Sequence, residues 1–106
     1  MTTTDSQRAA PPRRVSLDLQ DSETTRAVVE AIERDNKDIA LSHIPGLVRL
    51  TSPHQLVINR HTVEAILGRD WETHEFQLAI VTYSGNIAEW DDDQIIIKWQ
   101  ERRKLR

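Results

Sequence analysis

The side chains that most often carry chemistry are sparse in this chain of 106 residues, and their spacing favours no metal site. Four histidines stand 11, 7 and 13 positions apart, so none has a neighbour in a recognised ligand register. They are His43, His54, His61 and His74. His61 and Glu64 lie one helical turn apart, but the di-iron carboxylate pattern places the glutamate first and needs further donors from long helices. We therefore expect no bound metal or cofactor.

Carboxylates offer two other arrangements. The run Asp91–Asp93 could bind a hard cation, yet no glycine-pivoted loop or distal glutamate completes an EF-hand, so a solvated turn is the simpler interpretation. Glu72 and Glu75 are close in sequence, but acid–base work would need one of them desolvated in a pocket that so small a core hardly encloses. An enzyme would have to use a pair such as His74 and Glu75, and it would then turn over substrate alone.

Composition excludes several other classes of site. With no cysteine, a thiolate nucleophile, a disulfide framework and a cysteine-based zinc or iron–sulfur site are impossible, which suits a reducing cytosol. Three glycines are too scattered for a phosphate-binding loop. The longest aliphatic run is four residues, against roughly 20 for a membrane span, and residues 1–14 lack the apolar stretch of a signal peptide. We expect a single cytoplasmic domain with no membrane contact.

Charge divides the ends of the chain from its middle. The formal net charge is −3, but residues 1–14 carry +2 and residues 101–106 carry +3, so residues 15–100 hold −8. An acidic body repels phosphate backbones, because nucleic-acid affinity comes mainly from lysine and arginine. Nucleic acid is therefore excluded as a partner, and the C-terminal RRKLR is interpreted as a solvated end. We predict a disordered tail at 1–14 and a basic tail at 101–106.

The first half of the patterned region alternates between strand and helix periods. VSLDLQ from Val15 has the two-residue period of a half-buried strand. A helix then begins at a cap, Asp21 or Ser22, and runs to about residue 35, where Asn36 can end it in a left-handed conformation. Two short strands, about 39–43 and 47–51, are joined through Pro45-Gly46, which is typical of a type II turn.

The second half repeats this order. QLVI predicts a short strand, Asn59 caps a second helix, and Gly68 ends it. Residues 76–81 alternate as a central strand buried on both faces, Ser84-Gly85-Asn86 breaks it, and residues 95–99 form the last strand. The sequence thus predicts an α+β fold of two β-α-β-β units, with small antiparallel sheets and two helices packed on them. Whether the units form one sheet or two stays open.

Aromatic residues give the first positive indication of function. Three of the five are tryptophans. Trp99 continues the apolar pattern of the last strand and is expected in the core, whereas Trp71 lies just beyond the second helix and Trp90 lies beside three aspartates, where burial is less expected. Exposed aromatic side chains are enriched at protein interfaces, although local packing explains each of them equally well. A small acidic domain without a catalytic set is best interpreted as a binding module.

The sequence also resembles a known family, the effector (coupling or regulatory) proteins of soluble bacterial di-iron multicomponent monooxygenases. The resemblance covers about residues 15–100 and is carried by four segments: VVEAIERDN, LSHIPGLVRL, INRHTVEAILGRDWETHEFQLAI and SGNIAEWDDD. The last is most similar to the phenol- and propane-type proteins, and we favour the short-chain alkane group. The N-terminal segment is short and rich in proline and arginine, unlike the long ordering arm of the methane-oxidising member.

The resemblance implies a cofactor-free protein that docks on the di-iron hydroxylase, beside a reductase of the same complex. Docking would tune substrate access, oxygen activation and the coupling of NADH oxidation to hydrocarbon hydroxylation. Trp71 and the first turn of the second helix are secondary candidates for the interface. The principal partner-binding residues implied are Thr82, Tyr83, Ser84, Gly85, Asn86 and Ile87.

Two further expectations follow. The alternative function is a small-molecule-sensing β-α-β-β regulatory domain, whose melting temperature would shift with a metabolite. At the break, Gly85→Val is expected to weaken stimulation of the hydroxylase more than it lowers stability, because a turn built on glycine lets a partner approach the backbone closely.

Overall fold

The computed structural model of the chain describes residues 14–99. Both predicted tails, 1–14 and 101–106, lie outside the described residues except for Arg14. This described part of the chain contains seven strands: β1 Val15–Gln20, β2 Ala40–Ile44, β3 Leu47–Ser52, β4 Gln55–Asn59, β5 Ile80–Ser84, β6 Asn86–Trp90 and β7 Gln94–Lys98. The helices are α1 Glu23–Asp35, α2 Arg60–Leu67 and the single turn α3 Phe76–Ala79, which follows a 3-10 turn at Thr73–Glu75.

The strands form two antiparallel sheets, one ordered β2-β3-β1-β5 and one ordered β4-β7-β6. This confirms the predicted α+β class and answers the question of one sheet or two. The sheets do not coincide with the two predicted units, because β5 leaves the second unit to pair with β1 of the first. The second unit also has a strand that the sequence did not predict, β6, which pairs with β7.

One continuous core lies between the sheets and the helices. The alternation of β1 places Leu17 and Leu19 in it, and their partners across the sheet, Leu50 and Val48, lie in it too. α1 contributes one apolar stripe, and α2 contributes Val63. The remaining fully buried apolar side chains are Val15, Ala31, Ile32, Leu56, Ile58, Trp71, Phe76, Ile95 and Ile97.

The sequence prediction for residues 76–81 is wrong. Phe76 to Ala79 form a helical turn, and the strand begins only at Ile80. A reciprocal pair of hydrogen bonds between Glu72 and Glu75 caps the preceding turn and favours this conformation. β5 is moreover an edge strand and largely exposed, so it is not a central strand buried on both faces.

Most predicted element boundaries are confirmed by their capping contacts. The Ser22 hydroxyl accepts a hydrogen bond from the Thr25 amide at 3.0 Å, and the Asn59 carbonyl oxygen of the side chain accepts one from the His61 amide at 2.9 Å. Gly46 and Gly68 both have positive φ, as a type II turn and a helix C-terminus require.

Asn36 ends α1 differently from the prediction. Its φ of −130° is extended and not left-handed. Its side-chain amide instead donates to the carbonyls of Ile32 and Val57, at 2.8 and 2.9 Å, and accepts from the Val57 amide at 3.0 Å. The helix is thereby tied to the free edge of β4.

No helix within residues 14–99 combines the length and the apolar character that crossing a membrane demands.

Candidate docking surface

Exposed apolar side chains are concentrated in one stretch of the chain. Within residues 14–99, five large hydrophobic side chains are exposed, and four of them lie between positions 78 and 87. They are Leu78 at 81%, Val81 at 52%, Tyr83 at 39% and Ile87 at 37%. A run of this kind on a small protein is typical of a protein–protein interface. We call residues 78–87 the docking segment.

The docking segment contains β5, an edge strand of the four-stranded sheet, and the first two residues of β6, an edge strand of the three-stranded sheet. β5 pairs only with β1, and the register shifts between Asp18 and Leu19, which leaves Val81 without a partner opposite it. Such a bulge bends an edge strand and re-aims its side chains. Tyr83 lies opposite Leu17 on the core side, whereas Thr82 lies opposite Asp18 on the outward side. Docking residues therefore point to both sides of β5.

Gly85 is the point at which the chain passes from one sheet to the other. Its φ is +136°, in the region that favours glycine. A Cβ placed there would lie 3.1 Å from Cγ2 of Ile97 and 3.6 Å from Cγ1 of Val15. The glycine is therefore favoured by its positive φ and by the packing of the core, which changes our expectation for Gly85→Val.

Trp71 does not lie on this surface. Its side chain is 1% exposed, which corrects its assignment as a candidate docking residue: the indole packs in the protein's own core. Trp90 and Trp99 are half-buried against the core. The Trp90 ring meets that of Phe76 edge-on, with centroids 6.0 Å apart. Trp99 donates from Nε1 to the Arg14 carbonyl at 3.0 Å.

A carboxylate in α2 fixes the loop that buries Trp71. Oε2 of Glu64 accepts a hydrogen bond from the Trp71 amide at 2.9 Å, and this bond, reinforced by nearby Arg60, lowers the pKa of Glu64. Arg60 contacts Glu64 at 3.3 Å and Asp93 at 3.2 Å. The first turn of α2, the other secondary candidate, is thus tied to the corner before β7 and lies outside the docking segment.

The acidic and histidine side chains show the arrangement of solvated turns. Oδ1 of Asp91 accepts from the amides of Asp93 and Gln94 at 2.8 and 2.9 Å, and these bonds lower the pKa of Asp91. His74 lies 3.1 Å from the Glu72 carboxylate, and the two side chains are 70% and 69% exposed, so neither is desolvated by burial. Within residues 14–99, no group of three or more metal-binding side chains is close enough to hold an ion.

Sequence reasoning missed Leu78 and Val81. It counted both as members of a buried alternating strand, whereas α3 turns Leu78 outward and the bulge frees Val81. A signal was present in the glutamates at 72 and 75, which have the three-residue spacing of a capping box just before Phe76.

Comparisons with known proteins agree over nearly all of the described chain. Residues 13–98 match the model of the MmoB/DmpM family. The chain is 38% identical to the phenol 2-monooxygenase stimulatory component DmpM of Pseudomonas sp. strain CF600, over 86 residues that are 81% of this chain and 94% of that protein.

Solved structures give the same picture. A chain of the phenol hydroxylase–regulatory protein complex matches with a TM-score of 0.76 and 38% identity, covering 83% of this chain and all of that one. The soluble methane monooxygenase regulatory protein B matches with a TM-score of 0.64 at 15% identity, covering 82% of this chain and 65% of that one, and shows a shared fold.

Proposed function

This chain belongs to the MmoB/DmpM family, and from that premise we propose that it is a non-catalytic regulatory component that binds the hydroxylase of a multicomponent monooxygenase. One observation carries the proposal: at 38% identity, the likeness to a stimulatory component extends over 94% of that protein. Residues 15–100 are the proposed effector domain, supported by the family match at 13–98.

The docking segment supplies a physical basis for such binding. It places Leu78, Val81, Tyr83 and Ile87 at the surface, where a partner would remove them from water. Full burial of one large aliphatic side chain stabilises a complex by roughly 1.5–3 kcal/mol, so two or three such anchors would supply much of the binding energy of a larger interface. The polar members of the segment are Thr82, Ser84 and Asn86, which would supply hydrogen bonds around these anchors.

Regulation then acts through the partner's conformations. A bound protein shifts its partner towards one conformation only to the extent that it binds that conformation more tightly. We propose that the hydroxylase conformation selected by this protein differs in substrate access and oxygen activation, and that electron delivery from a reductase is better coupled to hydroxylation in it. The iron chemistry belongs to the hydroxylase, and this chain supplies shape and contact.

The oxidised substrate and the compartment are part of the same proposal. The relative from Pseudomonas belongs to a phenol monooxygenase. SGNIAEWDDD of this chain is similar to both phenol- and propane-type proteins, and we favour short-chain alkanes. The cytoplasm is the proposed location, since a chain without cysteine suits a reducing compartment.

Reconstitution tests the proposal directly. A di-iron hydroxylase of a multicomponent monooxygenase and its reductase are assayed for NADH oxidation and for hydroxylated product, with phenol and with propane, at increasing amounts of the full-length protein. We expect product per NADH to rise and then saturate as the protein is added, and no turnover by the protein alone. Equal coupling without it, or turnover by the purified protein, would contradict the proposal.

A further inference from the structure

The outward side of the four-stranded sheet is uncovered in the part of the chain that the structure describes. The helices pack against the other side, where Leu17, Leu19 and Leu50 are fully buried. On the outward side, residues such as Ser42 and Thr82 are exposed. We call this surface the open face.

The strand register defines the open face. Directly paired residues of antiparallel strands point to the same side of a sheet, so each row can be followed across the strands. Two rows cross all four strands, and a shorter third row crosses three. They are Ser42–Arg49–Asp18–Thr82, Ala40–Thr51–Ser16–Ser84 and Ile44–Leu47–Gln20.

The open face is almost free of charge, although 29% of the chain's residues are charged. Asp18 and Arg49 are the two charged members of its rows, and they neutralise each other through paired hydrogen bonds of 2.8 and 2.9 Å. The arginine covers the carboxylate, since their side chains are 48% and 6% exposed. Depletion of charged residues other than arginine distinguishes the centre of a protein interface from ordinary surface.

The size of a stable interface points in the same direction. Specific complexes bury about 800 Å² and 20–30 residues on each partner. The docking segment has ten residues, several of them turned towards the core, and is too small alone. The open face continues from it without a break, because Thr82 and Ser84 belong to both. Four of its other members have small side chains, so a partner's backbone could approach the face closely there: Ser16, Ala40, Ser42 and Thr51.

We propose that the hydroxylase covers the open face together with the docking segment, so that the Asp18–Arg49 pair is buried near the centre of the interface. This inference rests on the proposed function. The partner surface it requires is flat and weakly charged, since an unpaired charge buried against this pair would be costly.

Two neighbouring residues of β2 provide a matched test. Ser42 and His43 are both exposed, but Ser42 lies on the open face, whereas His43 lies opposite Val48 on the other side. The full-length variants Ser42→Arg and His43→Arg add the same side chain one residue apart. Titration calorimetry with the purified hydroxylase should show at least a tenfold rise in Kd for Ser42→Arg and a change below twofold for His43→Arg.

Thr82→Arg, inside the docking segment, separates the possible failures. If wild-type protein does not bind the hydroxylase, the proposed function fails and this inference with it. If Thr82→Arg loses affinity while Ser42→Arg binds like wild type, the open face is overturned and the proposed function stands. Thermal melting of each variant checks folding, and Ala40→Arg in the second row repeats the test if Ser42→Arg melts early.

Discussion

Two edge strands of this protein differ in how their outer backbone groups are satisfied. At β4, the Asn36 amide donates to the Val57 carbonyl at 2.9 Å and accepts from the Val57 amide at 3.0 Å, as a neighbouring strand would. At β5, no strand within residues 14–99 pairs with the outer side, and Val81 and Tyr83 are exposed there. Because exposed edges invite pairing and aggregation, proteins usually cover them. The contrast supports our proposal that β5 is left open for a partner.

The comparison separates residues that stabilise the fold from residues that we propose bind a partner. The cap at β4 is made by a side chain of the same molecule and contributes to stability. The apolar side chains of the docking segment contribute little to stability while they remain in water. Substitutions at the β4 edge should therefore lower the free energy of unfolding, whereas substitutions in the docking segment should raise the Kd for the hydroxylase. We call this the division between stability and binding.

Gly85→Val should have the largest effect and should violate this division, because it should lower both stability and stimulation. A β-branched side chain at φ +136°, against Ile97 and Val15, combines backbone strain with overpacking, and we expect the free energy of unfolding to fall by about 2–5 kcal/mol. Stimulation of the hydroxylase should fall as well. Urea denaturation measures the first effect and the reconstituted assay the second.

Gly46→Val is the control for Gly85→Val. Gly46 also has positive φ, but nothing lies within 4 Å of an added Cβ, so the loss should be clearly smaller. Equal losses of stability at the two positions would mean that the chain is not tightly packed around Gly85, where it passes from one sheet to the other.

Leu78→Asp should sharpen the division from the binding side. This side chain is 81% exposed, so the free energy of unfolding should change by less than about 0.5 kcal/mol. Loss of a buried anchor should raise the Kd for the hydroxylase roughly tenfold to hundredfold. Gln77→Asp, at the exposed neighbouring position, is the matched control for charge. An unchanged Kd for Leu78→Asp would remove this residue from the interface.

Asn36→Ala should sharpen the division from the stability side. It removes the hydrogen bonds to Ile32 and Val57, and we expect a loss of about 1–2 kcal/mol in the free energy of unfolding with an unchanged Kd. Asn86→Ala, an exposed asparagine in the docking segment, should do the reverse, with unchanged stability and a raised Kd. Chemical denaturation measures the free energy of unfolding of both variants, and calorimetry measures their Kd for the hydroxylase. A raised Kd for Asn36→Ala would contradict the assignment of Asn36 to stability alone.

Acidification should have the smallest effect on stability. It should weaken an ion pair of the four-stranded sheet while leaving the Asn36 cap on the three-stranded sheet unchanged. The hydrogen bond from Arg49, reinforced by its charge, lowers the pKa of Asp18 below its ordinary value near 3.8 in the folded protein. The stabilisation is therefore complete above the ordinary pKa and is lost as the pH falls through the folded pKa. The Asn36 cap is a neutral amide and has no such dependence.

Asp18→Asn measures the acid effect. Urea midpoints between pH 3 and pH 7 should decline less steeply on acidification for this variant than for wild type. The slope that remains comes in part from Glu64 and Asp91, whose pKa values are lowered too. Identical slopes in the two proteins would contradict a role for the Asp18–Arg49 pair.

Features that depend on a few neighbouring residues were predictable from the sequence. The caps at Ser22 and Asn59 and the positive φ of Gly46 and Gly68 follow from local side-chain chemistry and were confirmed. The six-residue alternation at 76–81 was too short to distinguish a strand from a turn followed by a strand.

Features that depend on distant contacts were not predictable in the same way. The pairing of β5 with β1 joins residues more than sixty positions apart, and no local pattern encodes it. Trp71 is buried by the core that several other elements build around it, and the hydrogen bond from its amide to Glu64 only holds its loop. The site residues from Thr82 to Ile87 came from a family resemblance, and the outward turn of Leu78 became visible only once α3 was placed.

The passage of the chain through Gly85 has a mechanical consequence. The residues on either side of Gly85 belong to edge strands of two different sheets, β5 and β6, and they are joined directly along the backbone. A partner that bound these residues would therefore contact an edge of each sheet through one continuous piece of backbone.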